Sequence, residues 1–187
     1  MFSLQARYRG RAVRRAELVR RSAEALATLP GVGEFELLGV EDIRAIVDTP
    51  EALCDTVMAL LSDGEWAVGI VVAPTISEAC DVPLVRSTRA GSVQATVLPL
   101  GGTFAQDISA AFALIAHVLA KRTFEGREAT SLMRSGLNQN EAAAELGISK
   151  QAMSQRLQAA GWQAETAGWR LAVNLLIQAN QHAHNSI

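Results

Sequence analysis

Residues 136–162 read GLNQNEAAAELGISKQAMSQRLQAAGW. The run predicts a short helix from Gln139 to Leu146, a tight turn at Gly147-Ile148-Ser149 and a second helix from Lys150 to Ala160. Gly147 stands where the chain must reverse, a position that often needs a positive φ, which glycine adopts without a Cβ penalty. Ser149 is a favourable N-cap for the second helix, because its hydroxyl can accept from a free backbone N–H. Ala143 falls where the two helices would cross, and Leu146, Ile148, Met153 and Leu157 are the candidate core positions. A small residue, a glycine four places on, and apolar residues six and ten beyond that glycine make the spacing of a helix-turn-helix.

The outward face of the second helix then carries Lys150, Gln151, Ser154, Gln155 and Gln158. Gln can bond adenine in bidentate fashion, Lys can reach guanine, and Ser suits either base. Lys150, Gln151, Ser154 and Gln155 are therefore the expected base-reading residues. Arg134, Asn138, Gln139, Asn140, Ser149 and Arg156 are the expected contacts to backbone phosphate. From Leu146 to Ala164 there is no acidic residue, whereas an acid there would face phosphate. A solvated helical hairpin would show a polar face too, but the turn, the cap, the crossing alanine and the acid-free face agree on a DNA reader.

Working outward, Phe104, Ile108, Phe112, Ile115 and Leu119 follow three- and four-residue steps and predict a long amphipathic helix. Beyond Pro99-Leu100-Gly101-Gly102 no strand pattern occurs, and the boundary is placed near residue 101. Before it, Phe2–Tyr8 alternates as a first strand, and the stretch 11–29 steps as a helix ended by Pro30-Gly31. Residues 34–48 predict a hairpin around Gly39-Val40-Glu41-Asp42, with Glu41 and Asp42 as solvated turn acids. Thr49-Pro50 opens a helix through Leu61, Trp66–Ala73 predicts a buried strand, and Ser92–Leu98 another. The order β-α-β-β-α-β predicts an α+β fold: a ferredoxin-like split βαβ sandwich over residues 1–101, then an all-α domain over 102–187 with the helix-turn-helix at 139–160.

Charge is segmented rather than balanced. Residues 1–22 hold seven Arg against one Glu, and residues 23–120 hold three basic against thirteen acidic side chains. Residues 121–187 hold seven basic against five acidic, so the overall charge of −2 conceals two ends able to approach phosphate. The arginines (Arg7, Arg9, Arg11, Arg14, Arg15, Arg20 and Arg21) could touch DNA, pair with the acidic middle, or hold a partner. At 49% hydrophobic and 19% charged the chain can bury a core, which excludes global disorder. The absence of a long apolar run or a signal-like opening predicts a cytoplasmic protein with no membrane association. Cys54 and Cys80 lack metal-site spacing and are read as inert. His117 lies in the long helix and His182 and His184 in a polar tail, so neither a triad nor a metal set forms. The chain is expected to be no enzyme and to need no cofactor.

The 136–162 segment resembles the helix-turn-helix of sigma region 4 and of LuxR-type regulators. Together with EWAVGIVVAP (65–74) and AFALIAHVLAKRT (111–123), it resembles the SatD-like DNA-binding proteins. That resemblance implies a ferredoxin-like, cyclase-related domain followed by a helix-turn-helix. The family pattern has an acid in the first strand and a Gly-Asp-Glu-Phe-like hairpin turn; here the strand reads SLQARYR and the turn Gly39-Val40-Glu41-Asp42-Ile43. A sigma factor would be helical throughout its amino-terminal half, against the strand-rich 34–98 segment. The expectation is a transcription regulator that reads double-stranded DNA, its first domain serving sensing, dimerisation or binding of a small-molecule or protein effector. The alternative is a protein-interaction module that docks on the transcription machinery. A homodimer is expected, with Trp169, Ala172, Val173, Leu176 and Ile177 as an apolar stripe available for pairing and Leu171 and Leu175 widening it.

Overall fold

The computed structural model describes residues 1–187 apart from Val85, Thr88, Leu100, Gly101, Ser186 and Ile187. In chain order the elements are β1 (Phe2–Tyr8), α1 (Arg15–Leu26), β2 (Glu36–Leu37), β3 (Asp42–Val47), α2 (Pro50–Asp63), β4 (Trp66–Val72), α3 (Ile76–Asp81) and β5 (Val93–Val97). The helices α4 (Phe104–Ala120), α5 (Phe124–Arg134), α6 (Gln139–Glu145), α7 (Lys150–Ala159) and α8 (Trp162–Asn185) follow. The chain is thus α+β, with an amino-terminal mixed sheet and a mostly helical carboxy-terminal region. Among the described residues no helix is long and apolar enough to cross a membrane.

The sheet order is β2-β3-β1-β4-β5. Strand β1 is antiparallel to both β3 and β4, so those two run parallel to each other with β1 inserted between them. Strand β5 adds to the far edge, parallel to β4. The alternation that predicts β1 sends Phe2, Leu4, Ala6 and Tyr8 into the main core. Ser3 and Gln5, on the other face, are buried as well, and Gln5 Nε2 donates to the Val82 carbonyl at 3.2 Å. That face is partly covered by α3, a helix the sequence reading did not contain. Its signal was local: the Thr75 hydroxyl accepts from Glu78 N while the Glu78 carboxylate accepts from Thr75 N, a reciprocal capping box.

Helix α2 begins where its cap residues place it. Thr49 Oγ1 accepts from Ala52 N at 3.1 Å, Pro50 occupies the first turn, and Gly64 closes the helix at φ +82°. Helix α1 is shorter than its apolar spacing suggests, and Arg14 at its start offers no side-chain cap.

The expected boundary falls at Leu100 and Gly101, outside the described residues. Packing follows a different division from composition. Phe112, Ile115 and Leu119 of α4 and Ala172, Leu176 and Ala179 of α8 share one core with Leu4, Val68 and Ile70 of the sheet. Helices α4 and α8 approach so closely that a Cβ on Gly168 would lie 2.8 Å from Ile115 Cγ1. A separate, smaller core belongs to α5, α6 and α7, hereafter the helical head. The stripe expected to pair two subunits is therefore occupied within the chain. Ala172, Val173 and Leu176 are buried and Trp169, Leu175 and Ile177 half-buried, which leaves only Leu171 of the group exposed.

One consequence is measurable. Phe112→Ala should cost about 3–5 kcal/mol, as large aromatic truncations do. Because α4 shares the sheet's core, the β-sheet signal should melt earlier in urea, together with the helical signal. An unchanged β transition would show that the two regions fold apart.

Candidate nucleic-acid interface

The head is built from short local instructions. Asn138 Oδ1 accepts from Asn140 N and Glu141 N, and Glu141 Oε2 accepts from Asn138 N at 2.8 Å, which starts α6 with a capping box. Leu146 ends α6, Gly147 turns the chain at φ +64°, and Ile148 N donates to the Ala143 carbonyl at 3.0 Å. Ser149 Oγ then accepts from Ala152 N at 3.1 Å and starts α7. Ala142 and Ala143 of α6, Met153 and Leu157 of α7 and Ala129 of α5 are buried together, with Leu146 and Ile148 packed against them. The crossing alanine and the expected core residues thus meet in one cluster.

On the opposite side of α7, Lys150, Gln151, Ser154 and Gln155 are all exposed, with Gln158 continuing the row. Among the described residues, the side chains of the first four enter no hydrogen bond or ion pair, so their donors and acceptors face solvent uncommitted. The expected phosphate group is more dispersed. Asn140 is exposed and Gln139 and Arg156 half-buried. Asn138 and Ser149 are engaged as helix caps, although each remains exposed.

Arg134 is engaged elsewhere. Its Nε donates to Glu165 Oε1 at 2.8 Å and its Nη2 lies 2.6 Å from the same oxygen. The other Glu165 oxygen accepts from Arg122 Nη2. Arg122 also donates through Nε to the Ala160 carbonyl at 2.8 Å and through Nη1 to Thr130 Oγ1 at 3.4 Å. Glu165 and Arg122 are almost wholly buried, whereas the Arg134 side chain keeps 39% of its surface. Burial lowers the Arg122 guanidinium below its ordinary value, and the bond to Glu165 opposes that shift. The sequence reading missed this triad. Its trace was visible nonetheless: Glu165 stands in register with Trp162, Trp169, Ala172 and Leu176, one charge inside an otherwise apolar stripe.

Six of the seven arginines at the start of the chain are ion-paired; Arg11 is exposed and has no carboxylate partner among the described residues. Arg7 and Asp42 pair at 2.6 Å, and Glu41 takes both Arg9 and Arg15. Within α1 and its approach, Glu17 takes Arg14 and Arg21, and Glu24 takes Arg20. Glu41 and Asp42 are consequently ion-paired, not merely solvated; Asp42 is the first residue of β3, is 8% exposed, and lies opposite Arg7 in the sheet register. Burial pushes the Cys54 thiol well above its ordinary value, in keeping with an inert cysteine. His117 and His184 are exposed, and the His182 ring rests against Phe104. Among the described residues no group of three or more His, Cys, Asp or Glu is arranged to hold a metal ion.

No protein-family model matches the chain, and neither the curated proteins nor the solved structures give a significant match.

The triad yields its own test. Glu165→Gln would leave the buried Arg122 guanidinium without a counter-charge, a change that typically costs about 3–5 kcal/mol. Urea denaturation of this variant should show that loss, and Arg122→Met added to Glu165→Gln should restore a large part of it. A Glu165→Gln protein as stable as the parent would mean that the triad does not hold the head.

Proposed function

We propose that this chain is a sequence-specific DNA-binding protein, a transcription regulator that sets α7 into the major groove. The observation that carries the reading is the α7 face: Lys150, Gln151, Ser154 and Gln155 stand exposed and uncommitted on a helix whose other side is locked to α6 and α5. A rigid backbone with free bidentate side chains suits direct readout of base edges. In this reading α6–turn–α7 is a helix-turn-helix, and its likeness in sequence to those of sigma region 4, LuxR-type and SatD-like proteins adds to the case. Asn140, Gln139 and Arg156, with the exposed N-terminus of α7 at Ser149, would meet the phosphates. The sheet fits the same proposal, because β4-β1-β3-β2 with its two helical crossovers has the strand order of a ferredoxin-like split βαβ sandwich, extended here by β5. A homodimer would present two α7 helices to half-sites about 34–36 Å apart.

A second reading, docking on another protein of the transcription machinery, draws on Phe124. This aromatic at the start of α5 is 72% exposed on the head itself.

The two readings separate on one double variant. Gln151→Ala with Gln155→Ala should keep weak, salt-sensitive affinity for any duplex but lose preference for the sequence that the parent enriches from a random pool. Each lost bidentate contact should remove about 1–3 kcal/mol of discrimination. A double variant that enriches the same sequence with the same preference would show that this face does not read bases. A parent that enriches nothing would favour protein docking.

A further inference from the structure

On α2, Met58, Ala59 and Ser62 stand three, four and seven residues beyond Asp55 and share a face with it. On α8, Glu165, Thr166 and Trp169 stand in the same way to Trp162. The two stripes line a groove of about 460 Å³ that Leu29 and Arg134 complete. That volume is in the range of small-molecule sites, roughly 300–1,000 Å³. The walls are mainly apolar: two half-buried indoles on one side, and Met58 and Ala59 on the other.

The polar groups decide what such a groove can hold. Both Glu165 oxygens already accept from guanidinium groups, and Arg134 is turned onto Glu165. Asp55 differs. It lines the groove while exposed to solvent, accepts from Trp169 Nε1 at 2.7 Å, and enters no ion pair among the described residues. Partial burial lifts its carboxyl above the ordinary value, against the bond from Trp169 and the charge of Arg134. An anionic guest would meet two carboxylates here and find the facing cation already paired. A neutral apolar guest would withdraw Asp55 from water without replacing the lost hydration, which is costly. A cationic nitrogen would compensate Asp55 and could also lie against an indole face, an attraction of its own.

We propose that the groove between α2 and α8 is a binding site for a small organic cation with an aromatic or apolar body. The cation pairs with Asp55, and the body lies between Met58 and Ala59 on one side and Trp162 and Trp169 on the other. Such a ligand touches the helix that roofs the sheet and the helix that anchors the head. The groove lies apart from the exposed face of α7, and its chemistry does not depend on how that face is used.

The test is calorimetric titration of the full-length protein, without DNA, with three probes of one shape: 1-naphthylmethylammonium, 1-naphthalenemethanol and 1-naphthoate. The ammonium should bind at least tenfold more tightly than the alcohol and the carboxylate. Asp55→Asn, a change at an exposed position, should weaken the ammonium at least fivefold and should not weaken the alcohol. Trp169→Phe keeps a ring but removes the N–H donated to Asp55, and it should retain most of the ammonium affinity. Equal binding of the three probes, full ammonium affinity in Asp55→Asn, or no binding of the ammonium would each overturn the proposal.

Discussion

One buried carboxylate organises the carboxy-terminal half of this molecule. Glu165 lies between two guanidiniums, Arg122 just after α4 and Arg134 at the end of α5. Arg122 also bonds the carbonyl of Ala160 at the end of α7. A single anion thereby joins the ends of α4, α5 and α7 to α8. Taking these charges out of water is expensive, and the expense is offset only if almost every donor and acceptor finds a partner. That demand is directional. An apolar contact tolerates sliding, whereas hydrogen bonds in this network favour one arrangement of their partners.

The head needs such an anchor because its own core is small. Its buried members are three alanines, one methionine and one leucine, with six partly buried apolar residues packed against them. Local devices make up the difference: the Asn138–Glu141 box, the turn at Gly147 and the Ser149 cap. Each specifies one helix end, and together they set α7 with its polar side outward. The sheet side is built in the opposite way. There Leu4, Ile43, Val68 and Ile70 interlock with α2, α4 and α8, and burial does most of the work.

What could be read from the sequence divides along the same line. The head was legible because caps, turn glycine and crossing alanine act within a few residues of each other. Strands β1, β3, β4 and β5 and helix α2 were legible from alternation and from Thr49-Pro50. Helix α3 was not, since six residues are too few to show a period, and only its capping box betrayed it. The arginine cluster left three uses open, and only the fold chooses among them for most of its members. Arg7 meets Asp42 only through the pairing of β1 with β3, a partnership 35 residues apart that charge counting cannot see. The break in composition at residue 101 likewise marks where strands end, not where a core ends. The breadth of the apolar stripe on α8 is legible in the sequence, but its packing within the chain against α4 and the sheet core is not.

The central claim is that α7 is the DNA-facing element of a head held rigid on its body. Amide chemical shifts of the intact protein, followed while short duplexes of mixed sequence are added at low salt, address that claim directly. The account predicts that Lys150, Gln151, Ser154 and Gln155 and their helix shift first and furthest, and that added salt reverses the change as released counterions return. Shifts centred on α1 or on the sheet, or none at saturating duplex, would contradict it.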